Sequence, residues 1–268
     1  MAHSSEPDVP TIVDMSEHEL PASIRVALWG TEVLAGRLPA DDLPSLALPD
    51  LDVSEGLTEG IRLWASLGER VVLAALPRPG DLTGMPRGGS SFVDAAVQAG
   101  ECVFVPALGG ALVPSLEPFG PPGDQGWIAR WTAHPADPVP THRVEALDLG
   151  QVELMLRAEL AELTEALVGA GPVPFGAAAD LGAARARAAQ DRSWSWGLPE
   201  DLPPRAVRVV ELAGTVLALA DAGLDGVSGA LDAATARDRT LLLQRVQASA
   251  GRALTDATNA AAVHRAFR

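Results

Sequence analysis

Residues 85–91 (MPRGGSS) are the one stretch whose residue types and spacing suit binding chemistry. Gly88 and Gly89 let successive backbone N–H groups converge, and a helix expected to start at Ser90 or Ser91 adds partial positive charge. Arg87 brings a guanidinium that can clamp a phosphate or another oxyanion. The expected ligand group is therefore an anion, held by Arg87, Gly88, Gly89, Ser90 and Ser91. The stretch is not a P-loop, because the glycine spacing differs and the lysine is missing. The plainer alternative is a Gly-rich connection in which Ser90 or Ser91 caps the helix.

Other reactive groupings are weaker. His134, Asp137 and His142 are near one another in the chain, but prolines separate them. Their spacing fits no helix-face or hairpin metal template, so no metal is expected there. Cys102 opens an apolar strand, where a free thiol behaves as a small buried hydrophobe. Ser90, Ser91 and Ser115 lack the G-x-S-x-G setting of a nucleophile elbow. No catalytic residue stands out.

Composition narrows the chemistry further. The 20 basic residues are all arginine, and tyrosine is absent. No lysine means no Schiff-base or pyridoxal-phosphate anchor and no phosphate-cradling lysine. The lone cysteine excludes an internal disulfide and any metal site built on several thiolates of this chain. No cofactor is expected. The net charge is −15. Residues 1–145 hold 8 arginines against 20 acids, −12, and the remainder holds 12 against 15, −3. Such a surface repels nucleic-acid phosphates and anionic membranes, so neither is an expected partner. The polar opening MAHSSEPDVP shows no basic-then-apolar leader pattern, and no apolar run is long enough for a bilayer. A cytoplasmic protein is expected.

The elements that would position these residues emerge from periodicity. A helix is expected from about Pro21, with Ile24, Leu28, Thr31 and Leu34 on one stripe, ending near Gly36. Residues 39–55, rich in proline, aspartate and leucine, are expected to be an ordered connector. A second helix places Leu57, Ile61 and Trp64 together. Four strands come next: residues 70–76, VFVPAL, ALVPSL and GWIARWTAH, the middle two joined by a primed turn at Gly109-Gly110. Pro106 and Pro114 imply unpaired sides or bulges there. After the proline-rich segment 134–142 the character becomes helical. Asp148 and Gln151 resemble a capping box for a long amphipathic helix. A short helix is expected at 177–190, an apolar one from Pro203 to about Ala222, and a long alanine-rich one from about Leu231 to Ala266 that Gly251 could split.

The expected fold is α+β. A small, mainly antiparallel four-stranded sheet packs with helices in residues 1–145, followed by a helical portion, 146–268. Residues 237–268 carry six arginines against two aspartates, +4 locally, and the simplest expectation is docking on the acidic N-terminal half. Trp194 and Trp196 lack an obvious core face; they pin a connection onto the bundle or anchor a partner. The reading of function is a non-catalytic protein acting through protein–protein contacts, as a regulator, adaptor or assembly factor, with a protein partner or a second copy of itself. The alternative is an enzyme or small-ligand binder that recognises an anion at 85–91.

Overall fold

A computed structural model describes residues 20–121, 125–140, 142–169, 197–225 and 233–268. The first helix, α1 (Ala22–Leu34), is buried on almost every side. Gly36, at φ +73°, lies just past its end. A 3-10 turn (Ala40–Asp42) and a short helix, α2 (Leu43–Ala47), occupy the connector, where Leu43, Ala47 and Leu48 reach the core. Strand β1 (Val53–Glu55) and helix α3 (Leu57–Ser66) come next. After them the chain forms β2 (Leu73–Ala75), α4 (Ser90–Ala99), β3 (Cys102–Phe104), β4 (Ala111–Phe119) and β5 (Gly126–His134). The helical portion comprises α5 (His142–Glu145), α6 (Leu149–Gly169), α7 (Pro204–Asp225) and α8 (Ala233–Ala266).

The sheet corrects the four-stranded expectation. It has five strands in the order β1-β5-β4-β3-β2, and it is mixed, because β1 runs parallel to β5. β1 lies inside what reads as a connector. It is three residues long with a single large apolar side chain, too little for a periodic signal. Its place comes from Asp52, whose N–H donates to Trp127 O at 3.1 Å and whose carboxylate accepts from Trp127 N at 2.9 Å. Gly56 then turns the chain at φ +81°, tight against the Trp131 carbonyl.

Two further expectations shift. The connection between β3 and β4 spans residues 105–110 rather than a two-residue turn. Phe104 pairs with Ala111, and Val105 N–H donates to Gly110 O at 3.1 Å. Gly109 and Gly110 both have positive φ, as a glycine pair there requires. β3 leaves β4 after Leu112, so Pro114 and Pro118 lie where β4 pairs only with β5. A missing proline N–H costs nothing on an unpaired side.

One face of the sheet carries Ala74, Val103, Leu112, Ala129 and Trp131 against α1, α3 and the helical portion. The other buries Leu73, Ala75, Cys102 and Phe104 with Phe92 and Ala96 of α4. Both clusters also include side chains of α7 and α8, among them Val209, Leu254, Ala206 and Ala261. The sheet and the helices therefore share a core. Where β5 and β1 extend past these helices the sheet is polar: Arg130 bridges Glu55 at 2.5 Å and Glu117 at 3.2 Å across three strands.

Polar contacts agree with apolar ones on how α8 docks. Arg265 meets Glu32 of α1 at 2.7 Å, Arg252 meets Asp81 at 3.3 Å, and Arg245 meets Glu162 of α6 at 3.6 Å. The arginine-bearing helix thus spends three charges inside the molecule, two of them on the acidic N-terminal half. Gly251 sits within continuous helix and does not split it. Asp148 caps α6 by accepting from Gly150 N–H at 2.7 Å. The expected helix at 177–190 lies outside the described residues. Among the described residues, no helix is long and apolar enough to cross a membrane.

Candidate functional site

The 85–91 loop is positioned by the chain just beyond β5. Past His134 that chain runs between two loops: Ala136 bridges to Gly88, Asp137 N–H donates to Arg87 O at 2.7 Å, and Gly110 N–H donates to Ala136 O at 3.2 Å. Arg87, Gly88, Gly89, Pro135, Ala136 and Asp137 line an open cleft of about 370 Å³. Gly88 suits the crowding, since a side chain there would press on the Phe92 ring. Two of the segments singled out in the sequence, 85–91 and 134–142, therefore meet. Their meeting place is a cleft beside the start of α4.

The helix start differs from expectation. Gly89, not a serine, is the N-cap residue, with no side-chain cap, and Ser90 and Ser91 are the first helical residues, both exposed. Gly89 O instead accepts from Phe92 and Val93 N–H, each at 3.1 Å. The anion-binding geometry of the 85–91 loop thus consists of an uncapped helix start and one exposed guanidinium, Arg87. Asp137 places an acid on the same rim, so the cleft is mixed in sign.

Cys102 is fully buried, and burial, reinforced by the neighbouring Glu101 charge, pushes its thiol up to about 12. A thiol held there stays protonated and is no nucleophile at neutral pH. His134 packs its ring on Phe92, with centroids 5.8 Å apart. Among the described residues, no group of three or more His, Cys, Asp or Glu side chains comes together as a metal site. Trp194 and Trp196 lie outside the described residues. Periodicity places Trp64, Trp127 and Trp131 in the core; Trp64 and Trp131 are buried, and Trp127 is half-buried.

Sequence reasoning missed two features. Glu101, just after the left-handed Gly100 that ends α4, reaches the start of α1 and accepts from Ser23 N–H at 2.7 Å. Burial pushes its carboxyl up, against that hydrogen bond and the charges of Arg25 and Arg78. Arg25 in turn forks onto Asp50 at 2.5 and 3.1 Å. Nothing in the local sequence of Glu101 announces this, because its partners come from other elements. The second feature is apolar. Leu63 and Leu67, each 56% exposed, lie four residues apart at the end of α3, and Leu108 is 49% exposed. Leu108 N–H donates to the buried Glu69 carboxylate, just beyond α3, which ties that loop to the end of the helix. The i, i+4 spacing of Leu63 and Leu67 is readable in the sequence; that the sheet takes Leu57, Ile61 and Trp64 instead is the extra information.

The fold and cleft define a mixed α/β protein with a helical second part built onto the same core. Residues 23–146 match the N-terminal domain of the Rv1486c-like protein, and residues 150–255 match its C-terminal domain. Together the two matches span well over half of the chain, which belongs to the Rv1486c-like family. No curated protein and no solved structure matches it.

Proposed function

We propose that this protein works without catalysis or cofactor, in the cytoplasm, by binding a protein partner or a second copy of itself. The roles that fit are regulator, adaptor or assembly factor. The observation that carries this reading is the exposed pair Leu63 and Leu67 at the end of α3, with exposed Leu108 on the loop that Glu69 ties to that end. Three leucines about half exposed lose hydrophobic stabilisation while uncovered, and clustered apolar exposure marks contact surfaces more often than scattered residues do. The inert thiol of Cys102 and the internal use of α8's arginines point the same way. A net charge of −15 speaks against nucleic acid.

A photo-crosslinking residue at position 67, with one at Glu117 on the polar sheet face as control, tests this in the native cell. Adducts are expected from 67 alone, and Leu63→Glu with Leu67→Glu should abolish them. No adduct from 67, together with a monomer at every concentration in the ultracentrifuge, sinks the proposal.

A second reading rests on the cleft that Arg87, Gly88 and Gly89 share with Pro135–Asp137. It holds that the cleft takes a small anionic ligand at the start of α4. Inorganic phosphate and nucleotides should then raise the melting temperature, and Arg87→Ala should remove the rise. No shift in the wild type, or the same shift in the variant, rejects it.

A further inference from the structure

We infer that Asn259 is the residue that sets the register of α8 against the sheet. β2 is the outermost strand on its side, and the outward N–H and C=O of Ala74 have no neighbouring strand. Asn259 takes that strand's place: its Oδ1 accepts from Ala74 N–H at 2.8 Å, and its Nδ2 donates to Ala74 O at 2.9 Å. Asn259 is 7% exposed, and its amide sits on a short side chain with two rotatable bonds. Further back along the edge, Val72 N–H donates to Thr31 Oγ1 of α1 at 3.1 Å. The edge is thus closed by single side chains from two helices.

Ser249 donates to Glu159 at 2.5 Å and ties α8 to α6, but toward the sheet the packed side of α8 is mostly small apolar side chains. Ala250, Ala253, Ala257 and Ala261 recur at spacings of three and four along its packed side. Sliding the helix by one turn in either direction, about 5.4 Å, puts alanine back at two of these four positions. Apolar burial is non-directional and discriminates weakly between such states. Arg252 and Arg245 are about half exposed on long side chains, able to move with a displaced helix. A buried amide that must accept from the N–H and donate to the C=O of one residue has a single solution, and a slip leaves these groups buried and unpaired. Arg265, six residues further along, holds Glu32 in agreement with that register, through a longer side chain than that of Asn259.

The test is a distance measurement between spin labels at Glu59→Cys on α3 and Asp238→Cys on α8. Cys102 is buried and protonated, so it need not be replaced. One narrow distance population is expected in the otherwise native chain. Asn259→Ala should add a second population displaced by about 5 Å, and Ala74 N–H should lose its protection from exchange at least tenfold. If the Ala variant does not fold, Asn259→Asp is read instead at a pH where its carboxyl is ionised: it then keeps an acceptor for Ala74 N–H but no donor for Ala74 O, and the second population should again appear. A single population at the native distance in a folded Asn259 variant overturns the inference. So does a second population that arises only from Arg252→Ala with Arg265→Ala, which would give the register to the ion pairs.

Discussion

Glu32 and Arg265, 233 residues apart in the chain, face each other through a two-pronged ion pair at 2.7 and 2.8 Å. Arg37 approaches the same carboxylate from the other side at 2.6 and 3.0 Å and also donates to Arg265 O at 3.0 Å. Burial alone would raise this carboxyl, but the hydrogen bonds and charges of Arg265 and Arg37 outweigh it and hold it at about 2. The pair joins α1 to the last turn of α8, so its energy belongs to the docking of one half on the other.

The sign of the pH effect is set by that lowered value. A folded carboxyl held below its ordinary 4.5 stabilises the protein fully above that value, and the gain is lost as pH falls from 4.5 toward 2. Glu32→Gln should lower stability at pH 7 by about 2 kcal/mol, after allowance for solvent screening on the exposed Arg37 side. Urea unfolding at pH 7 and pH 3 measures it. The variant and the native chain should differ less at pH 3; equal differences would remove Glu32 as the cause.

Glu101 should act in the opposite sense. Burial raises its carboxyl above 4.5, so the stability it contributes is present at acid pH and is lost as pH climbs above 4.5 through the raised value. Glu101→Gln keeps an oxygen for Ser23 N–H and removes the charge. Relative to the native chain, its urea midpoint should improve steadily from pH 4.5 upward. Parallel midpoints across that range would show that Glu101 does not titrate with folding.

Cys102 should be silent toward a disulfide reagent in the folded protein and react fully in denaturant, because its thiol is buried and pushed up to about 12. Rapid stoichiometric labelling of the native chain at neutral pH would contradict the assigned burial.

Gly56 should not accept a side chain. Its φ of +81° disfavours L-residues, and an added Cβ would collide with the Trp131 carbonyl. Gly56→Ala should destabilise by about 2 kcal/mol or more, from the strained conformation and the displaced β5 backbone. Thermal unfolding reads the loss, with Gly36→Ala, also at positive φ but facing open space, as the milder comparison.

How much of this is legible in the sequence depends on the range of each interaction. Stripes such as Ile24–Leu28–Thr31 and Leu57–Ile61–Trp64, the strand at 126–134 and the cap at Asp148 are readable, because periodicity and capping act over a few residues. The charge imbalance of 237–268 is readable too, but that Arg252 and Arg265 find their partners within the chain is decided by the fold. β1 is not readable, because three residues carry no period and Asp52 meets Trp127 only once the sheet exists. Residue type makes Ser90 or Ser91 the natural cap, yet the path of the backbone gives that position to Gly89. The arginine and glycines of 85–91 stand out by local residue types alone; the cleft they form with Pro135–Asp137 comes from tertiary pairing of two loops. Sequence alone determined which side chains are available: one thiol, no lysine, an acidic surface and an arginine-bearing final helix. Tertiary structure decided which of them meet, since Glu32 with Arg265, Asn259 with Ala74 and Glu101 with Ser23 are brought together only by a shared apolar core.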